Sequence, residues 1–463
     1  MFDLGILISV LLMGVVAWLL ADPDRRQCAA AWLACGWVLP SAAFLGYMST
    51  QLGIWPSLGG VLFGPEEVGS WTQWSVGGRA YSWSHVMIFS MPVIVLVWRV
   101  VIWGWVPALL FPKVNMPWVY AFGVLADRGL FLVALPGVHV GVTSAVFQTA
   151  VAAACLLPAQ YFCRWTRERS HLSARSWMHF IFHGTLLLGV LSMLILSLSG
   201  GFGGPSLRSS MTNKFLVQLI LIPAVLLASA MREFYLGGGT PMPADAPLKL
   251  IETGPYAYIA NPMQIGKFGV LVTWAIFWSS PAIFAAAFLG LLYSLTIACP
   301  REDREMLARF GGQWTRYRSE VRRWRPRWRP YRAGANSTGE STRARLYLDE
   351  NCGTCAELTQ WVKRQNPVGL QVLPIFSHSA SNSGKMTYLP DGGGRVELGI
   401  RALSRGFEHI NFFWAFCGWA ASIPGVSWFA QLILDDVTSR RAKRTCTPPA
   451  VSPPVPSSTR RVP

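Results

Sequence analysis

GTPMPADAPLKLIETGPYAYIANPMQIG, residues 239 to 266, runs from a turn-rich polar segment straight into an apolar stretch, and CPREDREMLARFGGQWTRYRSEVRRWRP, residues 299 to 326, answers it on the far side. The apolar residues between read as a hairpin of two spans, 262 to 279 and 281 to 299, so both polar elements meet at one membrane face. Gly254-Pro255 gives a tight turn before Tyr256 and Tyr258. Asn261-Pro262 sets a helix start, with Asn at the cap and Pro at the first position. Glu302 and Asp303 lie at the N-terminal end of a helix, where carboxylates complement the dipole.

Outward from this hairpin the composition agrees. Of 463 residues 52% are hydrophobic and 14% charged, with 22 Trp, which lies outside the soluble range and points to a polytopic membrane protein. Spans of about 20 apolar residues fit near 2 to 21, 28 to 50, 85 to 111, 118 to 136, 138 to 161, 178 to 200 and 213 to 231, besides the hairpin. The expectation is an α-helical membrane bundle of about eight to nine spans. The first run, Phe2 to Ala21, has no basic residue before it and no small-residue cleavage pattern, so it reads as a retained span. Alternating the spans puts Arg25, Arg26, Lys113, the Arg164 to Arg175 cluster, Arg232 and the arginines after 300 on one side, expected to be cytoplasmic.

The net charge of +17 is expected to meet lipid headgroups, with a plain solvated face and nucleic acid as the alternatives. Arg322, Arg323, Arg325, Arg327 and Arg329 alternate with Trp324, Pro326, Trp328 and Pro330 just after the bundle, a pattern suited to anionic headgroups. The stretch AGANSTGESTRA then marks a flexible join. The domains expected are N-terminal membrane helices at 1–209, a catalytic membrane domain at 210–330, a linker at 331–342, a small α/β domain at 343–437 and a disordered tail at 438–463. In the α/β domain, strands are expected near 345–349 and 370–375, a helix at 352–364, and a hairpin of 386–389 with 395–398 around DGGG. Pro424 and Gly425 break the aromatic run 411–434 into two packed helices.

Gly254-Pro255-Tyr256, Asn261-Pro262-Met263, Glu302-Asp303, Phe310-Gly311 and Tyr317, in this order, resemble the isoprenylcysteine carboxyl methyltransferase and phospholipid methyltransferase superfamily over residues 210 to 330. The resemblance implies an integral membrane methyltransferase that uses S-adenosylmethionine, held by Gly254, Tyr256, Tyr258, Asn261, Pro262, Glu302 and Asp303. It also implies a lipid or lipidated small-molecule acceptor entering from the bilayer. The structural alternatives are a plain cap for Asn261, helix-start acids at 302 and 303, and interface aromatics at 256 and 258.

Cys352-Gly353-Thr354-Cys355 follows an expected strand and opens a helix, where the helix N-terminus stabilises a thiolate; Cys352 would attack and Cys355 resolve. With Tyr347-Leu348-Asp349 and GGGRVELGIRAL, residues 343 to 437 resemble the DCC-type thiol-disulfide oxidoreductases, which implies a thioredoxin-like fold and a thiol redox partner. A structural remnant of the motif and a metal site are the alternatives; no metal is expected, because only His378, His409 and Cys417 stand near, at poor spacings. Cys28, Cys35, Cys155, Cys163 and Cys299 read as small apolar residues. Asp127 and Arg128 inside a span are expected to be a structural pair, or to mark a break in the helix. His179 and His183, four apart, are expected to be packed rather than ligating. A membrane-anchored oxidoreductase with a non-catalytic bundle is the alternative reading of the whole chain.

Overall fold

The computed structural model describes residues 25–51, 73–76, 79–82, 87–88, 91–134, 142–192, 195–196, 210–241, 246–333, 344–348, 353–375, 386–391 and 394–445. The expected span 2–21, Cys352 and the tail after 445 lie outside these. The chain forms two compact units, one from Met1–Ile251 with Asn261–Thr315, the other from Glu252–Ala260 with Arg316–Pro463.

The first unit is helical. Among the described residues three of its helices are long and apolar enough to cross a membrane, Val146–Glu168, Met211–Leu236 and Pro281–Phe310; the sequence suggests eight to nine spans over the chain as a whole. Two further apolar helices among the described residues are shorter: Ala30–Ala42, within the helix Arg25–Gln51, and Leu96–Leu110, which contains a π-helical turn at Val100–Trp105. The expected span 85–111 opens instead on the strand pair Met87–Ile88 and Met91–Pro92, and a second hairpin pairs Gln73–Val76 with Arg79–Ser82. The π-helical turn frees backbone carbonyls from the regular ladder. Gln160 answers two of them, its amide nitrogen donating to the Trp103 and Gly104 carbonyls at 2.7 and 3.0 Å.

Asp127 is buried as a structural pair, and Arg99 is a partner. Arg99 Nε and Nη2 donate to the two carboxylate oxygens at 3.3 and 3.4 Å, with both side chains nearly inaccessible. The helix Met116–Ala134 runs unbroken through Asp127, so no half-helix junction forms there.

The hairpin that the sequence singles out is present as Pro262–Trp278 and Pro281–Tyr293, turned at Ser279 and Ser280, with the Ser280 hydroxyl accepting from Ile283 N at 3.3 Å. Its second arm does not stop at 299. It continues through Ser294–Ala298 into Cys299–Phe310, giving one helix of 30 residues. At 1.5 Å per residue that is about 45 Å against a hydrocarbon thickness of about 30 Å, so the charged end from Arg301 projects past the apolar layer. The first arm lies close against Ser210–Leu236. A Cβ at Gly266 would sit 2.9 Å from Leu227 Cβ, and one at Gly269 would sit 2.8 Å from Pro223 Cβ. In lipid, where apolar burial gives no drive between helices, such small-residue contact supplies the packing.

The second unit holds a four-stranded sheet with Leu370–Pro374 at one edge, then Ala344–Leu348, Thr387–Leu389 and Glu397–Leu398. The first two strands are parallel and the helix Gly353–Arg364 crosses between them; the remaining pairs are antiparallel. Leu346, Leu348, Val362 and Ala402 form the centre of its core. Two helices follow, Phe412–Ser422 and Val426–Thr445, bent by 96° at the Pro424-Gly425 break, so the interrupted aromatic run is a helix pair. The second helix extends to Thr445, past the expected boundary at 437.

Candidate functional site

In the first unit the site residues gather where the two arms of the hairpin end. Asn261 stands immediately before the helix Pro262–Trp278, but its side chain caps nothing. Its Nδ2 donates instead to Cys299 Sγ at 3.0 Å, and both residues are buried. That bond joins the start of the first arm to the second arm one turn before Glu302 and Asp303, which are half-buried. Two carboxylates and a fixed carboxamide thus share one end of the hairpin. Arg309, further along, donates to Pro247 O at 2.7 Å and ties the helix to the loop that precedes the second unit's segment.

That loop is shaped by Gly237, Gly238 and Gly239, which end the helix Ser210–Leu236. Their amides donate to Glu233 O, Tyr235 O and Phe234 O at 2.9, 3.2 and 3.0 Å, and Gly238 has φ +87°. A Cβ at Gly239 would lie 2.3 Å from Pro247 N, so the backbone can close on itself only with glycine there. The sequence reads Cys299 only as a small apolar residue, and Arg309 and this turn draw no reading from it. The signals were visible: three consecutive glycines directly after a span, and a cysteine placed just before Pro300 at a polar boundary.

Gly254, Tyr256 and Tyr258 fall in the second unit. Gly254–Ala257 forms a 3-10 turn, followed by a chain of backbone bonds: Ala260 N to Arg322 O at 3.0 Å, Arg327 N to Tyr258 O at 3.0 Å and Tyr331 N to Ala257 O at 2.8 Å. Tyr317 Oη donates to Tyr256 O at 2.8 Å. Tyr258 is fully buried, edge-on to Phe412 and Trp419 with ring centroids 5.7 Å away in each case, and its phenol donates to Glu408 O at 3.0 Å. Burial, reinforced by the Glu408 carboxylate, pushes the phenol up, so it stays protonated as a donor. The side chain of Tyr258 is thereby committed to the interior of this unit. The Arg–Trp run serves the same framework: Arg329 Nη1 donates to Gln365 O, Asn366 O and Ile410 O, at 3.1, 2.9 and 3.3 Å.

Beneath the segment lies a buried polar chain. His409 Nδ1 meets Val368 O at 2.8 Å, which fixes the proton there and leaves Nε2 to accept from Tyr388 Oη and Arg332 Nη2, both at 3.0 Å. Burial, with Arg332 adding to it, holds the imidazole well below its ordinary pKa of 6.5. The unfolded chain therefore takes up a proton near pH 6.5 that the folded unit refuses. This contribution is complete above pH 6.5 and is lost as the pH falls below it, by about 1.4 kcal/mol per pH unit. Glu252 works in the opposite sense: burial raises its carboxyl while Arg316 and Arg332 oppose the rise, so its contribution favours the acid side and fades as the pH climbs past 4.5. Unfolding of the C-terminal unit followed between pH 7 and 5 should show the histidine slope, and His409→Gln should flatten it.

Of the cysteine pair, Cys355 is buried on the helix Gly353–Arg364, where Thr359 Oγ1 donates to its carbonyl at 2.7 Å. In the first unit, His183 Nδ1 meets His179 O at 2.7 Å, and the His179 ring packs edge-on to Phe162 with centroids 4.8 Å apart. Among the described residues no group of three or more His, Cys, Asp or Glu is placed to hold a metal. Residues 214–313 match the phospholipid methyltransferase family, a stretch that takes in the whole hairpin with Asn261, Cys299, Glu302 and Asp303. No curated protein and no solved structure matches the chain.

Proposed function

We propose that this chain is an S-adenosylmethionine-dependent methyltransferase of the membrane, acting on a lipid or lipidated acceptor. The observation that carries the reading is the Asn261–Cys299 bond, which fastens the two arms of the hairpin one turn from Glu302 and Asp303, inside the stretch that matches phospholipid methyltransferases. The donor set suits the methyl donor: carboxylates complement its cationic groups, and a buried carboxamide suits a polar edge. When bound, S-adenosylmethionine supplies a methyl group on a cationic sulfur. The protein then needs little acid–base chemistry. Glu302 and Asp303 favour positive charge at the site, Asn261 holds a fixed polar orientation, and the apolar helices keep water away while an acceptor from the bilayer is aligned. The assignment of Gly254, Tyr256 and Tyr258 to the donor rests on the family resemblance. The arginine distribution favours a cytoplasmic site.

Labelled S-adenosylmethionine should bind saturably to the detergent-solubilised chain. Glu302→Ala should weaken that binding about ten- to a hundredfold, the loss of about 1.5–3 kcal/mol expected for a contact with a charged group. Absence of saturable binding to the unaltered chain would remove the reading. Membrane lipids from cells with and without the protein, compared by mass, should then differ by a methyl increment.

For the C-terminal unit we infer a thioredoxin-like thiol-disulfide oxidoreductase. It is supported by the βαβ crossover that carries Cys355 on its helix, continued by two antiparallel strands. Such a crossover sets the start of the helix beside the end of the preceding strand, where a thiolate is stabilised. Cys352 should alkylate faster near neutral pH than an ordinary exposed thiol; an ordinary rate would leave the motif a structural remnant.

A further inference from the structure

The first turns of the helix Val426–Thr445 set apolar side chains outward and polar ones inward. The side it turns to its own unit is largely polar. Ser427 is buried and takes a hydrogen bond from Arg401 at 3.4 Å, and the Gln431 side-chain oxygen accepts from Ile400 N at 2.7 Å. A turn further on, Leu434 reaches the core. The opposite side carries Trp428, Phe429, Leu432 and Ile433, which are 67%, 60%, 46% and 50% exposed. Residues four apart stack on one helical face, so these four make a continuous apolar strip rather than scattered side chains.

Length decides how such a strip can meet a bilayer. Phe412–Ser422 and Val426–Asp436 are bent by 96°, and each arm of 11 residues is about 16 Å long, half of a hydrocarbon core of about 30 Å. The first arm is also committed to protein. Trp419 is buried, and a Cβ at Gly418 would lie 2.6 Å from Ser404 O. The second arm is therefore suited to lying in the headgroup plane with one face sunk among the acyl chains. Charge indicates which surface. Asp435 is held by Gln431 Nε2 at 2.7 Å, and after Asp436 the helix sequence passes through Arg440, Arg441, Lys443 and Arg444, four cations against two acids.

We propose that the helix 426–445 docks in the plane of an anionic lipid surface, giving the C-terminal unit its own monotopic membrane attachment. It does not depend on the methyltransferase reading. The test uses the full chain with a photoreactive benzophenone amino acid in place of Phe429 or, separately, Leu432. The protein is reconstituted in phosphatidylglycerol-containing or purely phosphatidylcholine vesicles. Irradiation should give protein–lipid adducts at both positions, severalfold more in the anionic vesicles. Protein–protein adducts in place of lipid would overturn the proposal by making the strip an interface between copies. Absence of adducts at both positions would overturn it by making the strip wet. Equal lipid yields in the two vesicle types would overturn its preference for anionic lipid. Both positions are exposed, so the substitutions leave the packed core intact.

Discussion

Asp127→Ala is expected to destabilise the first unit by about 3–5 kcal/mol, the loss typical of breaking a buried ion pair by removing one partner. The Arg99 guanidinium is 1% exposed and would keep its charge while losing the carboxylate that accepts from Nε and Nη2. Its position over the Trp103 ring, 4.8 Å from the centroid, offsets part of the loss, since a desolvated cation–π contact contributes about 2 kcal/mol. The double change Arg99→Met with Asp127→Leu removes both charges at similar volume and should recover most of the stability or exceed it. Unfolding of the detergent-solubilised protein by heat or by a denaturing detergent measures both. A loss below about 1 kcal/mol for Asp127→Ala is the behaviour of a solvated pair and would contradict the burial described above.

This pair illustrates what the sequence carries and what it withholds. A charge in the middle of an apolar run is visible at once, and a structural role for Asp127 follows from the cost of leaving it alone. The identity of Arg99 is not visible, because the partner lies on another helix and at the edge of its own apolar run. The same holds at the candidate site. Asn261-Pro262 announces a helix start, and the structure begins a helix there, yet the local rule that Asn caps its own helix gives way to a bond with Cys299 formed only when the hairpin closes. The α/β elements after 343 are legible almost residue for residue, since alternation, turn glycines and the cysteine motif all act locally. The described residues give three spanning helices, which does not reach the count of eight to nine. Hydrophobic length does not register the strands at 87–88 and 91–92, which shorten the helix that apolar composition alone would extend over 85–111.

Least legible is the membership of residues 252–260. Read along the chain, Gly254 to Tyr258 belongs with the hairpin it precedes, and the family resemblance places it there. In the fold its backbone is bonded to Arg322, Arg327 and Tyr331, and its tyrosine is enclosed by the helix 412–422. Trp419→Ala should therefore be costly well beyond its own helix. Trp419 is 1% exposed and edge-on to Tyr258, Phe412 and Phe416, and losing a buried tryptophan costs about 3–5 kcal/mol. Trp419→Phe keeps most of the ring contact and should cost less, since the indole nitrogen has no hydrogen-bond partner among the described residues. Tyr258→Phe, which removes the bond to Glu408 O, should cost about 1 kcal/mol. Hydrogen exchange distinguishes this from a purely local effect. In Trp419→Ala the amides of Ala260, Arg327 and Tyr331 should lose protection together with those of the C-terminal sheet; if they keep it, residues 252–260 are held by something other than this unit. Glu302→Ala should leave those amides unchanged while weakening the methyl donor. A chain in which Trp419→Ala also weakened the donor would tie donor affinity to the C-terminal unit through the segment that runs on without a break into Asn261.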